Sequence, residues 1–285
     1  MKIGIIGSAD RAVAWEKNMG QHPSVNEVVI AQALDGIGKV DACVIIDDSE
    51  SNLDSLLKAV KRGYHSFLVS RLPRDTAKVK NIYHASEEAN VVVQFSHWPS
   101  LAPASKWMFS KVQKPKFIQV VREVEHTDFM ERDNDFSYYW IDELALCMQW
   151  IDGVIHTTEV NQTNRVANEG GAIHLFLRFN NAATANIYVT TVANRSNHKR
   201  TASDASTILD CDVLGQSVRA GQANDGGHLF FKKKLFDASR SAELAATQFL
   251  KAVQLNRPTP FGAYELLQTL KVADQINKKL VTQGY

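Results

Sequence analysis

The chain has 285 residues, 45% of them hydrophobic, and a formal net charge of +1 from 32 basic and 31 acidic side chains. That length sustains one large or two ordinary domains, each with a packed core. The near-neutral balance, without a basic excess, argues against nucleic acid or an anionic membrane as a partner.

Cys43, Cys147 and Cys211 are far apart and form no CxxC pair. Cys43 and Cys147 lie in apolar runs, as small hydrophobes do, which suits a reducing, cytoplasmic setting. One lysine ahead of an apolar strand is not the pattern of a secretion signal. No apolar stretch approaches the roughly 20 residues of a membrane-spanning helix.

In chain order, residues 3–6 are an apolar run read as a strand. It leads through Gly7-Ser8-Ala9-Asp10-Arg11-Ala12 into a helix over 11–19, closed by Gly20-Gln21-His22-Pro23. Strands are predicted at 27–31 and 40–46, the second continuously apolar as in a strand buried on both faces. Leu53, Leu56, Leu57 and Val60 have the spacing of a helix over 53–61, stopped by Gly63. A strand at 66–69, a helix over 75–89 capped by Asp75 and a strand at 90–95 follow. Strand and helix in alternation predict a parallel, doubly wound α/β sheet.

From about residue 105 the rhythm changes. A strand at 116–125 precedes an almost wholly apolar helix over 136–151. Strands are then predicted at 156–161, 171–179, 184–192, 206–213 and 228–232, with Asn180-Asn181 as a hairpin turn. Two helices, 242–255 and 264–279, close the chain. Consecutive strands predict an α+β domain on a mostly antiparallel open sheet. The expected domains are therefore 1–104 and 105–285, the closing helices belonging to the second.

The turn at Gly7 has the outline of a dinucleotide site. There, a first glycine makes the tight turn, a second admits the pyrophosphate and a third lets helix and strand pack closely. Gly7 takes the first position; Ala9 and Ala12 take the others. Alanine at the third is tolerated, whereas Ala9 adds a methyl where phosphate would pass. The helix N-terminus would still offer N–H groups to an anion. A plain strand-to-helix turn over an empty crevice fits the same residues.

Three stretches, "AELAATQFLKAVQLNRPTPFGAYELLQTLKVADQI", "VDACVIIDDSESNLDSLLKAVKRGYHSFLVSRLPRD" and "AIHLFLRFNNAATANIYV", together with the order of elements, resemble the glucose–fructose oxidoreductase / inositol dehydrogenase (Gfo/Idh/MocA-type) family over nearly the whole chain. The resemblance implies a Rossmann-type domain followed by an α+β domain, and oxidation of a sugar or polyol by NAD or NADP. It also implies a homodimer through the second sheet. Against the family's pattern, the chain is shortened after its second strand, which ends at Gln32 in place of the acid that holds the adenosine ribose. Cofactor contacts are expected at Gly7, Ser8, Ala9, Arg11, Gln32, Asp47 and Asn52, with weakened or absent binding of NAD or NADP. Asp47 and Asp48 would repel a pyrophosphate.

For catalysis the resemblance implies a Glu-Lys-Pro segment and a helix carrying an acid and a histidine one turn apart. Here the first reads Ser70-Arg71-Leu72. Arginine cannot act as a base, but it can clamp a carboxylate or phosphate, so an anionic carbohydrate is the expected substrate class. The helix match puts Tyr139 and Glu143 on one face, as proton-transfer candidates. The alternative places Asp142 and Glu143 at a solvated helix edge. His97, beside Trp98, is the histidine candidate, although a histidine hydrogen-bonded at a domain junction is the commoner fate. "EHTDFMERDND" (125–135) is acidic, but its spacing matches no standard metal site, and a solvated loop is expected. Two functions thus stand open: an NAD(P)-dependent oxidoreductase, or a degenerate relative that serves as a small-ligand-binding, structural or regulatory protein.

Overall fold

The apolar runs at the start of the chain line up as a parallel sheet. The structure is a computed structural model and describes residues 1–132, 135–163, 170–223 and 226–282. In its first compact unit, Met1–Leu101 with Ser239–Lys271, β1 (Lys2–Ile6) leads into α1 (Ala9–Gly20). β2 (Glu27–Ala31), β3 (Ala42–Ile46), α2 (Asn52–Lys61), β4 (His65–Val69), α3 (Thr76–Ala89), β5 (Val93–Phe95) and the short α4 (Trp98–Leu101) follow. All strand pairs are parallel, in the order β2-β1-β3-β4-β5. β3 is buried along its whole length, as its unbroken apolar run implies.

Between β2 and β3 there is only a 3₁₀ turn, Leu34–Ile37. The space left by Gly4 allows so short a link: a Cβ there would lie 2.6 Å from Ile37 Cδ1, so the buried Ile37 side chain settles directly on β1. The shortened connection leaves β2 as the sheet edge.

Helix α8 (Ser241–Leu255) also belongs to this first unit, not to the second domain as expected. Its Ala245, Ala246, Phe249 and Leu250 are fully buried in the cluster that holds Ile3, Val44 and Phe67, with the Phe249 and Phe67 rings 5.6 Å apart. The first segment of this unit ends at Leu101. Helical periodicity announces an apolar face; it does not say which sheet receives it.

The second unit comprises Ala102–Ala238 and the chain from Val272. It opens with α5 (Pro103–Lys111), β6 (Phe117–Glu125), α6 (His126–Arg132) and α7 (Ser137–Trp150). Strands β7 (Ile155–Thr163), β8 (Ala172–Phe179), β9 (Thr184–Ala193), β10 (Asn197–Ser203), β11 (Thr207–Asp212), β12 (Ser217–Ala223) and β13 (Leu229–Leu235) follow; α9 (Ala263–Thr282) ends the described chain, its residues to Lys271 counting with the first unit and those from Val272 with the second. The eight strands form one open sheet, β13-β12-β11-β10-β6-β9-β8-β7, antiparallel except for β6 beside β9. Trp140, Leu144 and Cys147 of α7 share a core with Ile118, Val120, Ile187 and Val189 of the central strands.

Sequence periodicity misses β10 and β12. β10 reads Asn-His-Lys-Arg-Thr-Ala-Ser, a polar string, yet its alternate residues His198, Arg200 and Ala202 are buried. The stretch expected as a solvated loop at 125–135 is instead the end of β6 and helix α6, pinned by the buried Phe129; Asp133 and Asn134 lie outside the described residues. Among the described residues, no group of three or more His, Cys, Asp or Glu is placed to hold a metal ion. Nor is any helix there long and apolar enough to cross a membrane.

Candidate functional site

The five-stranded sheet reverses its winding between β1 and β3, since β1 leads outward to β2 on one side and the chain then returns to β3 on the other. At such a switch point the connections diverge and leave a crevice outside the carboxyl ends of the strands. A cavity of about 720 Å³ lies at these ends, lined by Gly7, Ser8, Gln32 and Asp47, by Ser55 and Lys58 of α2, and by Arg62, which caps that helix. That volume falls in the range of small-molecule sites.

Gly7 forms the floor. A Cβ there would approach Ile46 Cβ at 3.0 Å and Ile46 O at 3.1 Å, so any side chain at this position would crowd the end of β3. Its N–H donates to Ala31 O at 3.2 Å. Ser8 is extended (φ −63°, ψ 146°), and its side chain makes no capping bond; α1 starts with Ala12 N–H donating to Ser8 O at 2.9 Å. The first turn of α1 thus opens beside the crevice without a side-chain cap, the arrangement that receives an anion. Ala9 is exposed in that turn.

The turn after β3 is held by its own side chains. Asp47 Oδ1 accepts from the Ser49 N–H at 2.8 Å, and Asn52 Nδ2 donates to Asp47 O at 3.2 Å. Arg11 reaches across to Asp48, Nη1 to Oδ2 at 2.7 Å, so one of the two acids expected to repel a pyrophosphate is paired.

In the second unit a different cluster sits beneath α7. Glu143 is fully buried. Arg200, from the centre of β10, donates from Nε to Oε2 at 2.8 Å and from Nη2 to Oε1 at 2.7 Å. His198 Nε2 lies 3.0 Å from Oε1, and Arg122 Nη1 lies 3.6 Å from it. Burial pushes the Glu143 carboxyl up, but Arg200 and His198 outweigh it and hold the group well below the usual carboxylate range. Burial, only partly offset by Glu143, pulls His198 down to about 4. For Arg200, burial is outweighed by Glu143, which raises its pKa.

No protein-family model and no curated protein matches the sequence. Solved structures match it closely in shape. UDP-N-acetylglucosamine 3-dehydrogenase GnnA from Acidithiobacillus ferrooxidans superposes with a TM-score of 0.81 at 14% identity, over 97% of this chain and 96% of that one. A dehydrogenase from Chromobacterium violaceum gives 0.81 at 15%, over 100% and 96%. Biliverdin reductase from Synechocystis, solved with biliverdin and NADP+, gives 0.69 at 14%, over 97% and 98%. The fold is that of the Gfo/Idh/MocA-type oxidoreductases.

Within this fold, the expected cofactor residues separate into two groups. Gly7, Ser8, Gln32 and Asp47 line one crevice, with Ala9 and Arg11 in the adjoining turn of α1. Asn52 instead braces the turn after β3 and is almost fully buried. Sequence reasoning missed Ser55, Lys58 and Arg62. Their spacing of three and four put them on one face of α2, but nothing local said that this face meets the crevice.

The expected catalytic residues do not form one constellation. Arg71 follows β4, is exposed and does not line the crevice. His97 is fully buried, its Nδ1 2.9 Å from Ser100 Oγ and its ring 4.4 Å from that of Phe261. Tyr139 is half-buried under the Arg122 guanidinium, 4.7 Å from its ring. Glu143 is neither a solvated helix edge nor an available proton carrier. It is sealed from water and ionised against Arg200. Asp142, its neighbour, keeps partial exposure and lies 3.9 Å from Arg122.

Proposed function

We propose that the chain is an oxidoreductase that uses a nicotinamide dinucleotide. The observation that carries this reading is the crevice at the β1/β3 switch point, floored by Gly7 and bordered by the uncapped first turn of α1. The residues present suit the cofactor: Ser8 and Ala9 would receive the pyrophosphate, and Gln32 would reach a ribose hydroxyl. When bound, the nicotinamide supplies the hydride acceptor or donor. The chain's own part is to bind and orient that cofactor. Arg71 supplies a cationic fork for a sugar acid or sugar phosphate. Affinity for the cofactor is expected to be weak, because the Ala9 methyl stands where the pyrophosphate would pass. Titration calorimetry with NADH and NADPH tests the reading. Saturable binding of either supports it, and no binding of either up to millimolar concentration sinks it.

A second reading has its own support. Glu143 stands where the resemblance puts a proton-transferring histidine, and it is sealed by Arg200; Arg71 replaces the lysine. Both favour a relative that binds a small ligand without redox chemistry. Cofactor binding without oxidation of NADPH or reduction of NADP+, across a panel of sugar acids and sugar phosphates, would favour this reading. We also propose a homodimer through the second unit's sheet, where Tyr188 and Ile208 are exposed on central strands. Light scattering that gives a monomer at micromolar concentration would exclude it.

A further inference from the structure

We infer that the adenosine end of the crevice is built for a 2′-phosphate, so that the chain prefers NADP(H) to NAD(H), with Lys58 of α2 and Arg62, which caps that helix, as the cationic contacts. The inference rests on the proposed reading of the crevice as a dinucleotide site.

Selectivity between the two cofactors is decided at the end of the second strand. An acid there accepts from the ribose hydroxyls and repels a 2′-phosphate, whereas a neutral residue with a cation nearby accommodates it. β2 ends into Gln32, which lines the crevice and carries no charge. Its amide both donates and accepts.

The cations come from an unusual place. The connection after β2 is reduced to the turn Leu34–Ile37, so no helix of its own walls that end. The polar face of α2 does so instead. Ser55, Lys58 and Arg62, three and four residues apart, point to the crevice, while Leu53, Leu56, Ala59 and Val60 are buried on the opposite side. Arg62 is steadied by an ion pair with Asp35, made through Nη2 alone, and the rest of its fork remains for a phosphate. Lys58 has no ion-pair partner among the described residues. Two cations therefore face one acid, Asp35, at this end. The other acid of the crevice, Asp47, stands at the end of β3 and is turned onto the Ser49 amide. A 2′-phosphate brings close to two negative charges and matches that imbalance.

Calorimetric titration of the full chain with NADP+, NAD+, 2′,5′-ADP and 5′-AMP tests the inference. The two 2′-phosphorylated ligands should bind at least about tenfold more tightly than their counterparts, an advantage that shrinks as salt is raised because the cations are partly exposed. Lys58→Ala and Arg62→Ala should each remove most of that advantage and leave NAD+ binding within about twofold, with the thermal midpoint of the apo protein unmoved. NAD+ binding as tightly as NADP+ would overturn the preference and leave the dinucleotide reading standing. Equal loss of both cofactors in the variants would overturn the role of the two cations. No binding of any of the four would overturn the dinucleotide reading and this inference with it.

Discussion

Arg200 grips both oxygens of Glu143 in a fork of 2.7 and 2.8 Å, and neither side chain is more than 3% exposed. Helix α7 and strand β10 are thereby joined through the interior of the second unit. A bidentate pair of this kind is well made, yet its members cost much to strand alone.

Removing one partner should therefore be severe. Arg200→Ala, or Glu143→Ala, leaves a single buried charge and is expected to cost about 3–5 kcal/mol in urea unfolding. The double change Glu143→Leu with Arg200→Met removes both charges and should recover most of that loss. Single variants that cost under about 1 kcal/mol would show that water reaches the pair.

The same cluster sets a pH dependence. His198 is lowered from 6.5 to about 4 in the fold, so the folded chain resists a proton that the unfolded chain accepts. Its contribution is present above pH 6.5 and is lost as pH falls toward 4. His65, lowered by burial, acts in the same sense. Glu143 adds its loss only below the ordinary carboxylate value of 4.5. Stability measured from pH 8 downward should decline from about 6.5, and His198→Gln should flatten that decline. A profile level from pH 7 to 4.5 would contradict the assignment.

Gly7→Ala probes the crevice floor. The new methyl meets Ile46 Cβ and Ile46 O at 3.0 and 3.1 Å, the latter a backbone atom with little room to yield. A cost of about 1–3 kcal/mol is expected, with cofactor affinity falling alongside as β1 and β3 part. Unchanged stability and affinity would mean that the floor is not closely packed.

Ala182 lies in the hairpin between β8 and β9 with φ of 63°, a left-handed conformation that its Cβ disfavours. Ala182→Gly relieves that strain, offset in part by a more flexible unfolded chain, and should stabilise by about 0.5–1 kcal/mol. A lower thermal midpoint in the variant would refute this.

Much of the architecture was legible from local pattern. Alternating strands and helices up to residue 95 implied a parallel doubly wound sheet, and consecutive strands after 105 implied a second, mostly antiparallel one. Period and turn chemistry act over a few residues, so any stretch that obeys them announces its own state. The glycine turn and Gln32 were legible for the same reason, and the structure sets them side by side in one crevice.

What the tertiary structure alone decided is where faces and charges meet. Glu143 read as a helix acid with an open role; its fate was set by Arg200, 57 residues later on a strand whose polar residues hide its alternation. Helix α8 displayed an apolar face, and only packing chose the first unit's core to cover it. The cations Lys58 and Arg62 carried no reading in the sequence, and they gain one because the short Leu34–Ile37 link leaves α2 and its C-terminal end as a wall of the crevice. In each case the deciding partner is remote in sequence. Local periodicity determines what a segment can bury or expose, whereas the three-dimensional arrangement determines what it is buried or exposed against.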